Sequence, residues 1–397
     1  MKKLILILSL VMAVPVLAQR VSKVRKDTTI ILISSIPIQL ETTEALDHMY
    51  NFRFEQAEKQ FRWLKQTYPW HPLPYFLMGL STWWKIMPDV SNSAYDETFL
   101  AYMDSSITIA ERLHRREEYR IEAAFFLAAS YGFKGRLYSD EDRSNWVKAA
   151  AAGKMAMDYL EECREKDNLS PELQFGDALY NYFSVWVPEN YPALRPVLWF
   201  FRKGNKALGL KQLREVSHNA FYTRIEAMVW LMRILNGYEN DQAEAFRVSE
   251  YLRTTFPGNP YFHRYYVRML YSRGMYPQLE VEAKSILALI DRGQFGYEAT
   301  SGRYASFFLG QIYEARRQWE DARNYYQLCL KFSEKNKSYK SGYYLYSLIA
   351  LGEISEKLGD KAAARRYFTE VKKRSDRKNE AYKDAKRRLK KLEKGDR

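Results

Sequence analysis

Residues 54–72 read FEQAEKQFRWLKQTYPWHP, and residues 241–260 read DQAEAFRVSEYLRTTFPGNP. In the first, Phe54, Ala57, Phe61 and Leu64 recur at spacings of three and four, the apolar stripe of one helix face. Each segment has a small residue where two helices must approach closely, then large apolar residues, then a Tyr-Pro or Phe-Pro stop. Proline there ends the helix, because it has no N–H to donate and disfavours helix at the residue before it. The runs Gln56-Ala57-Glu58 and Gln242-Ala243-Glu244 bring the two segments together with a two-residue shift in the middle. Self-similarity of this kind predicts stacked helix hairpins.

Two further repeats follow. Leu309, Gly310, Tyr313, Ala322 and Tyr326 form one set; Leu351, Gly352, Ala364 and Phe368 form another. Glycine and alanine let the two helices of a hairpin nest, and the aromatics are expected to fill the gap to the next hairpin. These residues resemble the tetratricopeptide repeat pattern, although Ile354 and Ser355 stand where the last set should carry its first-helix Tyr. The whole chain also resembles exported tetratricopeptide proteins of Bacteroidetes-type bacteria. The resemblance implies an all-α fold: a right-handed superhelical stack of helix hairpins, an α-solenoid, with a divergent helical middle. It implies an envelope location and no chemistry.

The organisation expected from the sequence is a leader at 1–18, an extended arm at 19–41 and a first array at 42–169. A divergent insertion at 170–223, a second array at 224–370 and a basic tail at 371–397 complete it. Lys2 and Lys3 precede the apolar run Leu4–Leu17, and Val16-Leu17-Ala18 suits cleavage after Ala18. The run is shorter than the about 20 residues of a comfortable bilayer crossing, so the mature chain is expected to be soluble in the periplasm or associated with the outer membrane. Thr28–Leu40 is β-branched and holds Pro37, which reads as an extended lead-in. Pro188, Pro192 and Pro196 place a loop over Val187–Pro196, after the helix GDALYNYFSVW.

The chain carries a net charge of +14, which invites a nucleic-acid reading. Thirteen Lys or Arg against five Asp or Glu lie within Val371–Arg397, and removing that +8 and the two leader lysines leaves +4 for the rest. The basicity belongs to the tail, and no nucleic-acid partner is expected. In the tail, Tyr382, Ala385, Leu389 and Leu392 form one apolar stripe on a basic helix. It reads either as a cap on the last repeat or as a contact with an acidic surface. Cys163 and Cys329 lie far apart inside helical patterns and read as separate buried thiols.

No phosphate-binding glycine loop, nucleophile elbow or zinc helix is present. His48, His71, His114, His218 and His263 are scattered with no partner His at helical spacing. Asp140-Glu141-Asp142 with Ser144 begins like a calcium loop but lacks its glycine and its final acid, where Ala151 stands. Helix capping by Asp142 or Ser144 accounts for it better. The chain is therefore expected to be a non-enzyme with no cofactor and no metal, an exported scaffold that binds a protein or peptide. An alternative is a small-ligand or glycan site in the aromatic middle. Trp83, Trp84, Tyr182, Trp186, Tyr191 and Trp199 concentrate around that middle and the first array, and they read as core or as a stacking surface. The site residues expected are Tyr182, Trp186, Glu189, Asn190, Tyr191 and Trp199, with Glu189 and Asn190 supplying polar contacts from the proline loop.

Overall fold

Local capping chemistry starts many of the helices. Asn145, Asn205, Asp241, Ser341 and Asp360 each accept a hydrogen bond from a backbone N–H three residues on, satisfying a donor that the first turn leaves open. A computed structural model describes residues 31–394 except 141, 165, 167–168, 193–194 and 196–201. The expected leader at 1–18 lies outside the described residues. So do residues 19–30 of the lead-in.

The described residues form helices and no strand. The helices are α1 (Ile36–Tyr50), α2 (Phe54–Thr67), α3 (Leu73–Ile86), α4 (Asp96–His114), α5 (Arg120–Tyr138), α6 (Trp146–Cys163), α7 (Gln174–Asn190) and α8 (Lys206–Asn219). Then come α9 (Arg224–Gly237), α10 (Gln242–Thr255), α11 (Pro260–Ser272), α12 (Tyr276–Asp291), α13 (Ala299–Ala315), α14 (Trp319–Lys335), α15 (Gly342–Lys357), α16 (Lys361–Arg374) and α17 (Glu380–Lys394). They pack as consecutive pairs, α1 with α2 through α15 with α16, with α17 laid on α16 and α15. The chain is an all-α stack of helix hairpins. The middle continues this pattern, since α7 and α8 pair like their neighbours.

Several expectations are corrected. Thr28–Leu40 is not an extended lead-in where it is described: Leu32–Ser34 form a 3₁₀ turn and α1 begins at Ile36. Pro37 sits in the first turn, where its missing N–H costs nothing. Leu32 and Ile33 are buried, and the Ile33 N–H donates to Glu122 Oε1 at 2.6 Å. Val187–Asn190 is not loop, because α7 runs through Pro188. Proline this close to a helix end forfeits one hydrogen bond, and Tyr191 N–H still donates to the Val187 carbonyl at 2.8 Å. Neither Asp142 nor Ser144 caps α6; Asn145 does, while Ser144 takes the left-handed turn before it.

The two-residue shift between the quoted segments also disappears. Ala57 and Ala245, Leu64 and Leu252, and Tyr68 and Phe256 are each 188 positions apart, and both alanines are fully buried. Ala243 is exposed, so the small residue of the second hairpin is Ala245. In the last repeats, aromatic rings lie on the glycine of their own hairpin. A Cβ on Gly310 would meet the Tyr326 ring at 2.7 Å, and one on Gly352 would run into the Phe368 ring.

The first helices fold against the ninth to eleventh, so the two arrays share one core from Leu32 to Met269. Trp84 is fully buried and its Nε1–H donates to Glu226 Oε1 at 2.9 Å. Asn259 Nδ2 donates to the Tyr50 carbonyl at 2.9 Å, and Arg264 Nη1 donates to the Pro88 carbonyl at 2.8 Å. Tyr50 packs on both Trp84 and Phe256. Cys163 and Cys329 are buried free thiols in separate helices. Burial pushes their pKa up, to about 12 and about 11.

Candidate functional site

The aromatic middle divides into core and surface. Trp83 and Tyr182 are buried along with Trp84. The Tyr182 hydroxyl donates to Glu239, which also meets Lys206 Nζ at 3.0 Å. Asn190 turns its amide back onto the Trp186 carbonyl at 2.9 Å, and exposed Glu189 lies 3.8 Å from Lys206 Nζ. Trp199 lies outside the described residues. What reaches solvent is a ledge: the Trp186 ring sits 4.2 Å from that of Tyr238 and 5.9 Å from that of Tyr191. Tyr191 and Tyr238 are exposed. The structure thus brings Trp186 and Tyr191 together, adds Tyr238, and commits Tyr182 to the core.

Tyr238 also lines a cavity of about 740 Å³ that the folding-back of the two arrays creates. Its walls come from the end of α3 and the turn after it, the ends of α5 and α9, the length of α11 and the start of α13. Six arginines face it against three aspartates, Asp89, Asp140 and Asp142, among the described residues. Arg143 is neutralised by Asp96 at 2.6 Å and Asp140 at 3.1 Å. The other five, Arg136, Arg233, Arg264, Arg268 and Arg303, have no carboxylate within ion-pair distance among the described residues.

These five guanidiniums are held by aromatic faces, the cation–π arrangement that positions a charge without neutralising it. Arg136 and Arg233 both lie 5.1 Å from the centre of the Trp230 ring, and Arg136 also lies over Trp83. Arg264 and Arg303 share the Tyr304 ring at 5.7 Å each, while Arg268 lies over Tyr265. Arg264 spends Nη1 on the Pro88 carbonyl and Ser301 Oγ. Arg303 keeps Nε and Nη1 buried with no acceptor among the described residues. Burial, then repulsion from Arg233, brings the Arg136 guanidinium down to about 10, and burial lowers Arg264 too. At about 10, Arg136 stays charged at neutral pH. Glu226 lies behind Arg136 and Arg233, with its own pKa raised by burial and one oxygen given to Trp84.

This arrangement can bind an anion. No cluster of three or more His, Cys, Asp or Glu suited to a metal occurs among the described residues. His71 meets Glu122 at 3.4 Å and His263 meets Glu282 at 2.7 Å, both inside the packing. The arginines escape a sequence reading because they come from four helices. One signal was present: Tyr261, Arg264, Tyr265 and Arg268 share one face of α11 at helical spacing, with no acid among them. A second, apolar cavity lies between α5, α6 and α7. Its rim holds Arg195 and Arg202, which bracket residues outside the described set, and no site is assigned to it.

The tetratricopeptide repeat family matches residues 305–337, which span most of α13 and α14. One hairpin of the stack is therefore similar to a tetratricopeptide repeat. No curated protein matches the chain in sequence. Among solved structures, the crystal structure of the yeast Tom70 aligns with 91% of this chain and 96% of that chain, at 10% identity and a TM-score of 0.28. A likeness that slight carries no argument, and the fold stands on the helix pairs themselves. A tetratricopeptide hairpin within such a stack supports a protein-interaction scaffold.

Proposed function

We propose that the chain is an exported scaffold of the bacterial cell envelope, resembling tetratricopeptide proteins of Bacteroidetes-type bacteria, that binds a protein partner at the mouth of the inner cavity. The observation that carries this reading is the ledge of Trp186, Tyr191 and Tyr238 beside arginines with no carboxylate partner. Exposed aromatics with a polar tip anchor interfaces, and arginine is enriched at them. Export rests on the run from Lys2 to Ala18. The test uses the mature chain as bait in envelope extract, beside Trp186→Ala and the remote surface variant Lys284→Ala. A stoichiometric partner retained by the bait and by K284A, and lost with W186A, supports the reading. A partner retained equally by all three places the interface elsewhere.

A second reading, a small-ligand site, is favoured by the cavity itself, whose about 740 Å³ falls within the range of small-molecule sites. The exposed basic face of α17 is read as a contact with an acidic surface such as anionic lipid headgroups. Removing residues 376–397 is expected to weaken sedimentation with anionic vesicles, and unchanged sedimentation leaves α17 the capping role alone.

A further inference from the structure

We infer that the inner cavity is a binding site for a tetrahedral oxyanion, a phosphate or sulfate group, held by Arg264, Arg268 and Arg303 on one side and Arg136 and Arg233 on the other. The inference rests on the second reading above and names the ligand class. Three observations lead to it. The first is the surplus of positive charge, six arginines facing three aspartates. Like charges gathered around one cavity are costly without a full counter-charge, and at Arg136 repulsion from Arg233 outweighs the attraction of Glu226 behind it. The second is Arg303, whose Nε and Nη1 are buried and lack any acceptor among the described residues. Buried guanidinium donors without partners call for an acceptor that is not part of the chain.

The third is direction. The donors arrive from α5, α9, α11 and α13. A carboxylate presents two oxygens in one plane, and its lone pairs accept in or near that plane. A phosphate or sulfate group presents three or more oxygens out of plane and accepts from several sides. The cavity of about 740 Å³ exceeds what one ion fills, and the rings of Tyr238, Tyr261, Tyr265 and Tyr304 line the remainder. The oxyanion can therefore arrive free or as the ester of a sugar-sized group stacked on those rings.

Isothermal titration calorimetry of the full chain at low salt tests this, with inorganic phosphate, glucose 1-phosphate, glucose and hexaglutamate as probes. The phosphate-bearing probes are expected to bind and glucose is not. Glucose 1-phosphate binding more tightly than phosphate identifies the ester as the source, and equal affinities identify the free ion. Arg268→Gln and Arg303→Gln should each weaken phosphate binding roughly tenfold or more. Arg316→Gln, which loses a surface pair with Glu280, should leave it unchanged. Arg268 is exposed, so R268Q is expected to fold and keeps the test open if R303Q does not; thermal melts of each variant verify this. Absence of binding by either phosphate probe overturns the inference, as does equal binding by wild type and R268Q. Binding of glucose or hexaglutamate alone would overturn it too, yet leave the small-ligand reading standing. Silence of all four probes would overturn both.

Discussion

Buried charge in this chain is of two kinds, answered and unanswered. Glu172 is answered. Its carboxylate accepts from Tyr222 N–H at 2.9 Å, from Thr223 N–H at 2.8 Å, and from Phe221 N–H and the Thr223 hydroxyl. It thereby pins the turn before α9 to the start of α7. Glu172→Gln puts an amide donor against N–H groups, and the expected cost is roughly 2–4 kcal/mol, read as a shift in the urea midpoint. Glu282 is answered by its contact with His263 and by Arg253, which hold it at about 2. A carboxylate held below its ordinary value lends stability that is present above 4.5 and lost as pH falls towards about 2. His263 is lowered chiefly by burial, so acidification works in the same direction through it, starting below its ordinary value of 6.5. Urea midpoints of wild type and Glu282→Gln should therefore converge as pH drops below 4.5; a constant gap would contradict this. Arg303 is the unanswered kind, and the functional argument rests on it.

At the scale of helices, the hairpins owe their closeness to particular glycines. Gly310 faces the Tyr326 ring with no room for a methyl group, whereas Gly153 in α6 has nothing within 4 Å. Gly310→Ala should cost about 1–3 kcal/mol through overpacking. Gly153→Ala should add about 0.5–1 kcal/mol, because it relieves a helix-interior glycine. Chemical denaturation of the pair checks both signs at once. The last helix seals the stack: Ala381, Ala385 and Leu392 are buried in one cluster with Leu348, Phe368 and Val371. Deleting residues 376–397 uncovers that cluster, and the melting temperature should fall by roughly 2 °C or more. An unchanged melt would contradict the capping role. These elements were legible in the sequence because their signal is local: Leu309-Gly310 and Leu351-Gly352 mark the first helices, and the stripe of Ala385, Leu389 and Leu392 marks the cap. Misreadings fell where a strong local signal has two outcomes. Proline breaks a helix in its middle, yet Pro37 sits in a first turn, where it is tolerated, and Pro188 sits in a last turn, where it forfeits one hydrogen bond without ending the helix before Asn190.

For the molecule as a whole, the decisive feature is a closure that no local pattern records. Ties such as Asn259 to the Tyr50 carbonyl and Trp84 to Glu226 span 209 and 142 positions. They join two arrays that the sequence presents as separate. Trp83 and Trp84 read either as core or as a stacking surface, and the closure buries them. The same closure gathers arginines from four helices around one cavity, which explains why the candidate site was only half legible. Trp186 and Tyr191 stood out by composition, whereas Arg233, Arg268 and Arg303 have no meaning until α9, α11 and α13 are side by side. The most direct measurement is arginine side-chain ¹⁵N NMR of the full chain during titration with glucose 1-phosphate. The account predicts that the Nε resonances of Arg268 and Arg303 shift together and saturably, while that of surface-paired Arg316 stays in place. Equal drift of all three, or none at Arg268 and Arg303, would contradict it.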